Sequence, residues 1–493
     1  MVSRRFFLAA TVAGLARAAT AGAPGTSLLP SQRPDGLWRQ AAPTVEQLLE
    51  EAGLGGRVGF AVADARTGEL LEVRAPLYGM PPASVAKSVT CAYALDRLGP
   101  GYRFRTRLLA AGPVTNGRLD GDLWLVGGGD PVLVTDDLND MARQLAEIGL
   151  REVTGQLRIA AGPLPGIHEI DPEQPPHVGY NPAVGDLNLN FNRVHFEWTR
   201  TGNGYDVSMD ARSESIRPAV TRQRMRVEDR QGPVYTYSEA EGREDWTVAR
   251  GALGESGARW LPVRNPALYT AEVLQVLCRS RGLVLEGPEQ GGAPPEDARV
   301  MAEHVSEPLE DILGGMMEWS TNITAEAVGL LATRAGGTEP ESLAHSAAAM
   351  TEWMKARLGA RNPHFVDHSG LGEASRIPPG DMVRALVSLG ADGLVRRLMK
   401  TIPMRDDEGN LVPDHPISVV AKTGTLNFVS CLAGYAETPG GRDLAFGIFC
   451  ADLPRRQALT EAEMERPPGG RSYSGRARRL QQQLIERWAL VYG

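Results

Sequence analysis

Apolar and polar positions alternate along 57–63 and again along 70–74, on either side of the turn-forming run Asp64-Ala65-Arg66-Thr67-Gly68. A period of two residues predicts a strand–turn–strand unit there. Pro81-Pro82 then interrupts the chain, and 84–98 carries a helical period that Gly99-Pro100 ends. From about Phe104 the texture changes to short strands and turns, with Asn116-Gly117 and Gly127-Gly128-Gly129-Asp130-Pro131 as bends. A helix over 137–148 and a proline-rich stretch over 163–182 follow. The segment 199–260 is polar and arginine-rich, which predicts exposed β structure. Helical periodicity returns over 267–280 and 309–334. Two late strands, 429–436 and 443–450, face each other across Thr438-Pro439-Gly440-Gly441, and a closing helix over 476–491 places Leu480, Leu484, Trp488 and Val491 on one face.

This order of elements predicts one α/β (α+β) domain built from both ends of the chain and interrupted by a strand-rich insertion. The expected boundaries are 24–104 and 265–493 for the main domain and 105–264 for the insertion. No internal repeat is visible. The first 23 residues form a separate unit: Ser3-Arg4-Arg5-Phe6-Phe7-Leu8, an apolar run to Leu15, then small residues around Ala19-Thr20-Ala21. That arrangement reads as a signal peptide of twin-arginine type, which predicts an exported, periplasmic protein. No later segment has the length of apolar chain a membrane span needs.

Composition narrows the choices. Of 493 residues, 42% are apolar and 23% charged, as in soluble globular proteins. The formal charge of -8 leaves no basic excess for a nucleic acid. Four cysteines without a C-x-x-C pair suit neither a disulfide scaffold nor a zinc ribbon, and scattered histidines without H-E-x-x-H give no basis for a metal site. The 52 basic residues include only four lysines, Lys87, Lys355, Lys400 and Lys422. Where positive charge alone is needed the chain uses arginine, so a retained lysine marks a place where loss of a proton matters.

Two of those lysines fall in short patterns: Ser84-Val85-Ala86-Lys87 and Lys422-Thr423-Gly424-Thr425, with Ser320-Thr321-Asn322 between them. Alone, a Ser-x-x-Lys arises by chance in roughly one such chain in six, and a Lys-Thr-Gly in about one in forty. The context adds weight. Ser84 opens a helix with Lys87 one turn on, so the amine lies over the hydroxyl. A serine needs an adjacent base to become a nucleophile, and a desolvated lysine beside a second cation can be that base. Ser320 can relay a proton to a leaving amine, and Asn322 can hold both Lys87 and a substrate amide. Lys422 with the Thr423 and Thr425 hydroxyls would cradle a carboxylate, with Gly424 allowing a ligand to come close. The backbone N–H groups of Ser84 and Thr425 are the candidate oxyanion hole.

The three patterns in this order are those of penicillin-recognising serine enzymes. With Gly121-Asp122-Leu123-Trp124-Leu125-Val126-Gly127-Gly128-Gly129-Asp130-Pro131, Ser306-Glu307-Pro308-Leu309, Ser320 through Glu326, and Asp367-His368-Ser369-Gly370-Leu371, the sequence resembles the penicillin-binding protein 4 type of D-alanyl-D-alanine carboxypeptidase/endopeptidase, the low-molecular-mass class C penicillin-binding proteins. The resemblance implies a transpeptidase/β-lactamase-like domain. It also implies a serine DD-peptidase acting on peptidoglycan stem peptides and acylated by β-lactams, without cofactor or metal. A β-lactamase and a catalytically silent peptidoglycan-binding protein are the competing readings. The 236-residue separation of Ser84 and Ser320 argues against the former, whose family keeps these motifs close. The chain departs from the pattern at His368, where the family carries glycine, and at Glu373, near where a base often follows. His368 reads as a loop residue near the site.

One expectation concerns the late hairpin. A two-residue turn at Gly440-Gly441 pairs positions that sum to 881, which sets Cys431 opposite Cys450 as adjacent, mostly free thiols packed against a helix.

Overall fold

The computed structural model describes residues 42–406 and 408–493, so the expected signal peptide lies outside the described residues. The two chain ends meet in one six-stranded antiparallel sheet, in the order Lys400–Thr401, Ser418–Leu426, Val429–Glu437, Asp443–Ala451, Arg57–Asp64, Leu70–Arg74. The predicted early hairpin is present, and its turn is locked by the Asp64 carboxylate, which accepts from the Arg66 and Thr67 amides at 3.0 and 2.9 Å. The three central strands carry apolar residues on both faces, as sheets covered on both sides require. One face packs on Val45–Ala52 and the closing helix, Gly470–Tyr492, through Leu480, Leu484 and Trp488. The other packs on a helical layer that includes Ala86–Leu98, Asn322–Ala335 and Pro379–Leu389.

Between these parts lies a second apolar core. A five-stranded sheet, ordered Glu286–Gln290, Gln156–Ile159, Asp122–Val126, Arg105–Ala111, Arg299–Val305, shares that core with the helices Thr135–Glu147 and Pro266–Arg279. The helix at 266–279 and the strands up to 305 therefore pack with the insertion. Arg299–Val305 closes that sheet against Arg105–Ala111. The arginine-rich stretch is not merely exposed β structure: Arg243–Ala249 is the central strand of a three-stranded sheet and buries Trp246 and Val248 completely.

The late hairpin corrects the register expected above. Thr438 and Arg442 close the turn, with the Thr438 amide donating to Arg442 O at 3.0 Å, so three residues cap it instead of two. Partners then sum to 880: Cys431 pairs with Phe449, and Cys450 with Ser430. A one-residue slip sends side chains to opposite faces. Cys431 accordingly faces the helical layer, where its thiol meets Pro81 O at 3.3 Å, and Cys450 faces the closing helix. All four cysteines are free and buried.

Candidate active site

Three elements deliver the three motifs. Ser84 sits in a single 3-10 turn, Ala83–Val85, that runs into the helix Ala86–Leu98, so Lys87 follows within the first helical turn. The continuous helical period over 309–334 hides a break. The helix Leu309–Trp319 ends at Ser320 in a left-handed conformation (φ 59°), Thr321 is extended, and a new helix begins at Asn322. That break turns Ser320 and Asn322 toward the same space. The third motif lies on the strand Ser418–Leu426 beside the serine: a Cβ added at Gly424 would lie 2.8 Å from Pro82 O and 3.1 Å from Ser84 N, so only glycine lets the strand approach this closely.

The contacts are direct. Lys87 is fully buried, and its Nζ meets Ser84 Oγ at 3.0 Å, Asn322 Oδ1 at 2.8 Å and the Ser369 carbonyl at 2.9 Å. Lys422 Nζ donates to Ser320 Oγ and to the Thr423 carbonyl, both at 2.9 Å. Burial and the nearby Lys422 ammonium push the Lys87 amine down to about 7. Burial and the Lys400 ammonium lower Lys422 to about 8, and Lys400 is itself paired with Glu318 at 2.8 Å.

Strand alternation divides the third motif. Lys422 and Gly424 face the serine, and Thr425 lines the cleft at its exposed rim. Thr423, together with Thr425, also lines a cavity beside the closing helix, and the Thr423 carbonyl accepts from Lys422. Ser84, Ser320, Asn322 and Thr425 all line one cleft of about 1220 Å³. Asn322 already uses its amide donor, giving a hydrogen bond to the Tyr180 carbonyl at 2.9 Å, so the proline-rich stretch of the insertion reaches the site.

Two acids stand behind Lys87 to which the sequence reasoning gave no role. Glu326 accepts from the His368 and Ser369 amides at 2.9 and 2.8 Å, and Asp367 accepts from the Gly370 amide at 2.8 Å. Both are buried, and burial raises both carboxyls above their ordinary range. They fix the 367–372 turn whose Ser369 carbonyl holds Lys87. The available signal was the four-residue step from Asn322 to Glu326, which puts both on one helix face. His368 is fully buried behind this turn, its Nε2 2.7 Å from Ser346 Oγ, and burial lowers it to about 3, so it is a neutral packing residue outside the cleft. Glu373 lines the cleft.

Residues 41–465 match the D-Ala-D-Ala carboxypeptidase 3 (S13) family. A D-alanyl-D-alanine carboxypeptidase of Actinomadura sp. (strain R39) is 28% identical over 452 residues, covering 82% of this chain and 79% of the relative. One of Haemophilus influenzae is 24% identical over 428 residues, covering 82% and 87%. The crystal structure of penicillin-binding protein 4 from Haemophilus influenzae shares the fold, with a TM-score of 0.71 at 20% identity over 90% of this chain and 99% of that one. The match takes in all three motifs, the strand-rich segment between them and the sheet made by both chain ends, and on that extent the chain belongs to the D-Ala-D-Ala carboxypeptidase 3 (S13) family.

Proposed function

We propose that this protein is a serine-type D-Ala-D-Ala carboxypeptidase, exported by the twin-arginine route to the periplasm. There it trims peptidoglycan stem peptides, cleaves peptide cross-links by the same chemistry, and is acylated by β-lactams. The observation that carries the reading is the set of neighbours around Lys87 Nζ. Two of the three, Asn322 Oδ1 and the Ser369 carbonyl, can only accept. A neutral amine gives its two N–H groups to them and turns its lone pair to the third, the Ser84 hydroxyl. Burial and the Lys422 ammonium favour the neutral form, and the two acceptors orient it as a base.

In the reaction, Ser84 Oγ bonds to the carbonyl carbon of the penultimate D-alanine as its proton passes to Lys87 Nζ. The Ser84 and Thr425 amides take the developing oxyanion. The C–N bond then breaks, and the departing D-alanine nitrogen takes a proton relayed through Ser320. Lys422, with the Thr425 hydroxyl, holds the terminal carboxylate. A substrate amide carbonyl replaces that of Tyr180 on Asn322 Nδ2. Water adds to the acyl-enzyme with Lys87 again as base, releasing the shortened peptide. The test is release of D-alanine from a peptide ending in D-Ala-D-Ala, with long-lived inhibition after one equivalent of penicillin. Rapid multiple turnover of penicillin without D-alanine release would assign a β-lactamase instead, and neither reaction would indicate a silent binding protein.

A further inference from the structure

The cleft has a strongly basic wall that the catalytic scheme does not use. Arg456, Arg466, Arg471 and Arg478 line it, from the segment after the last strand and the start of the closing helix. None of the four is ion-paired among the described residues; Arg456 gives only a 3.4 Å hydrogen bond to the Asn427 carbonyl. In a chain of net charge -8, four guanidinium groups without an ion pair in one cleft make a local concentration of positive charge. The glutamates of the same cleft do not cancel them. Glu465 is committed to the insertion, meeting Arg259 at 2.9 Å and His177 at 3.0 Å, which leaves Glu173 and Glu373 against four arginines.

The strand edge points toward this wall. Lys400 to Ile402 covers Ser418–Leu426 from Ala421 back to Val419, so the edge from Lys422 to Leu426 is open to an extended peptide. On the proposed reading, the terminal carboxylate lies at Lys422 and the scissile carbonyl at Ser84, level with Gly424. The acyl chain then continues past Leu426 to Asn427, where Arg456 is anchored. We infer that the arginine wall is a specificity subsite for free carboxylates on the acyl side of the scissile bond, so that peptides bearing them are preferred to otherwise identical peptides whose carboxylates are amidated. The inference rests on the carboxypeptidase reading and adds the class of stem peptide it selects. It also accounts for the acid at Glu373, since the positive charge is supplied from a different wall.

The test compares two synthetic peptides ending in D-Ala-D-Ala, one with free carboxylates on the preceding residues and one with carboxamides. For the unaltered enzyme, kcat/KM should be about tenfold higher for the acidic peptide, with the difference in KM and shrinking as salt rises. The variant R466A/R471A should lose this preference, and Arg466→Glu should move it toward the amidated peptide; both positions are exposed, so these variants keep the fold. Equal rates for the two peptides, or an acid preference that survives in both variants, would overturn the subsite and leave the carboxypeptidase reading standing. Cleavage of neither peptide, together with no labelling by penicillin, would overturn both.

Discussion

At Lys87 the sequence composition and the geometry converge. A chain that carries 48 arginines and four lysines keeps a lysine where a guanidinium would hold its proton permanently. Burial and the Lys422 cation lower the Lys87 amine to about 7, so the fraction able to accept a proton rises as pH rises through that value. The acylation rate with penicillin should therefore climb between pH 6 and 8 and then level off. Lys87→Arg should slow it by about a hundredfold to ten-thousandfold, the usual contribution of a general base. Stopped-flow acylation across pH 5–9 checks both. A rate that stays flat across pH 5–9 would contradict Lys87 as the titrating base.

Among the elements, what the sequence concealed was mostly a matter of one residue. The strands and helices that flank the motifs are readable from period and punctuation, because their apolar faces must be buried. The break at Ser320 is not, since Met316-Met317-Glu318-Trp319 and Ile323-Thr324-Ala325-Glu326 keep a helical rhythm on both sides of it. The hairpin register failed for a similar reason: Pro439-Gly440-Gly441 permits either two or three residues in the turn, and the choice decides which face Cys431 and Cys450 take. The role of Glu326 and Asp367 was hidden because their partners are backbone amides, which carry no residue-type signature. His368 has a structural counterpart the sequence could not reveal. Its ring occupies the space beside Gly329, where an added Cβ would come within 2.2 Å of the imidazole. Gly329→Ala, normally stabilising inside a helix, should here cost about 1–3 kcal/mol through overpacking. His368→Ala in the same chain should recover part of that loss, a non-additivity that denaturant unfolding of the two single variants and the double variant measures. Additive effects would mean the two residues do not share this space.

For the molecule as a whole, the insertion does more than separate two motifs. Its proline-rich stretch brings the Tyr180 carbonyl to Asn322, and His177 and Arg259 grip Glu465 beside the closing helix. The cleft is thus bounded by the insertion on one side and by the two-ended sheet on the other, with Ser84 at the junction of strand and helix. Everything proposed for the chemistry depends on that hydroxyl being the nucleophile. The direct measurement is the site of covalent attachment: incubate the protein with excess benzylpenicillin, digest it, and map the adduct by tandem mass spectrometry. One penicilloyl group per chain is predicted, on Ser84, and absent from Ser84→Ala. An adduct on Ser320 or elsewhere, or undiminished labelling of Ser84→Ala, would contradict the account.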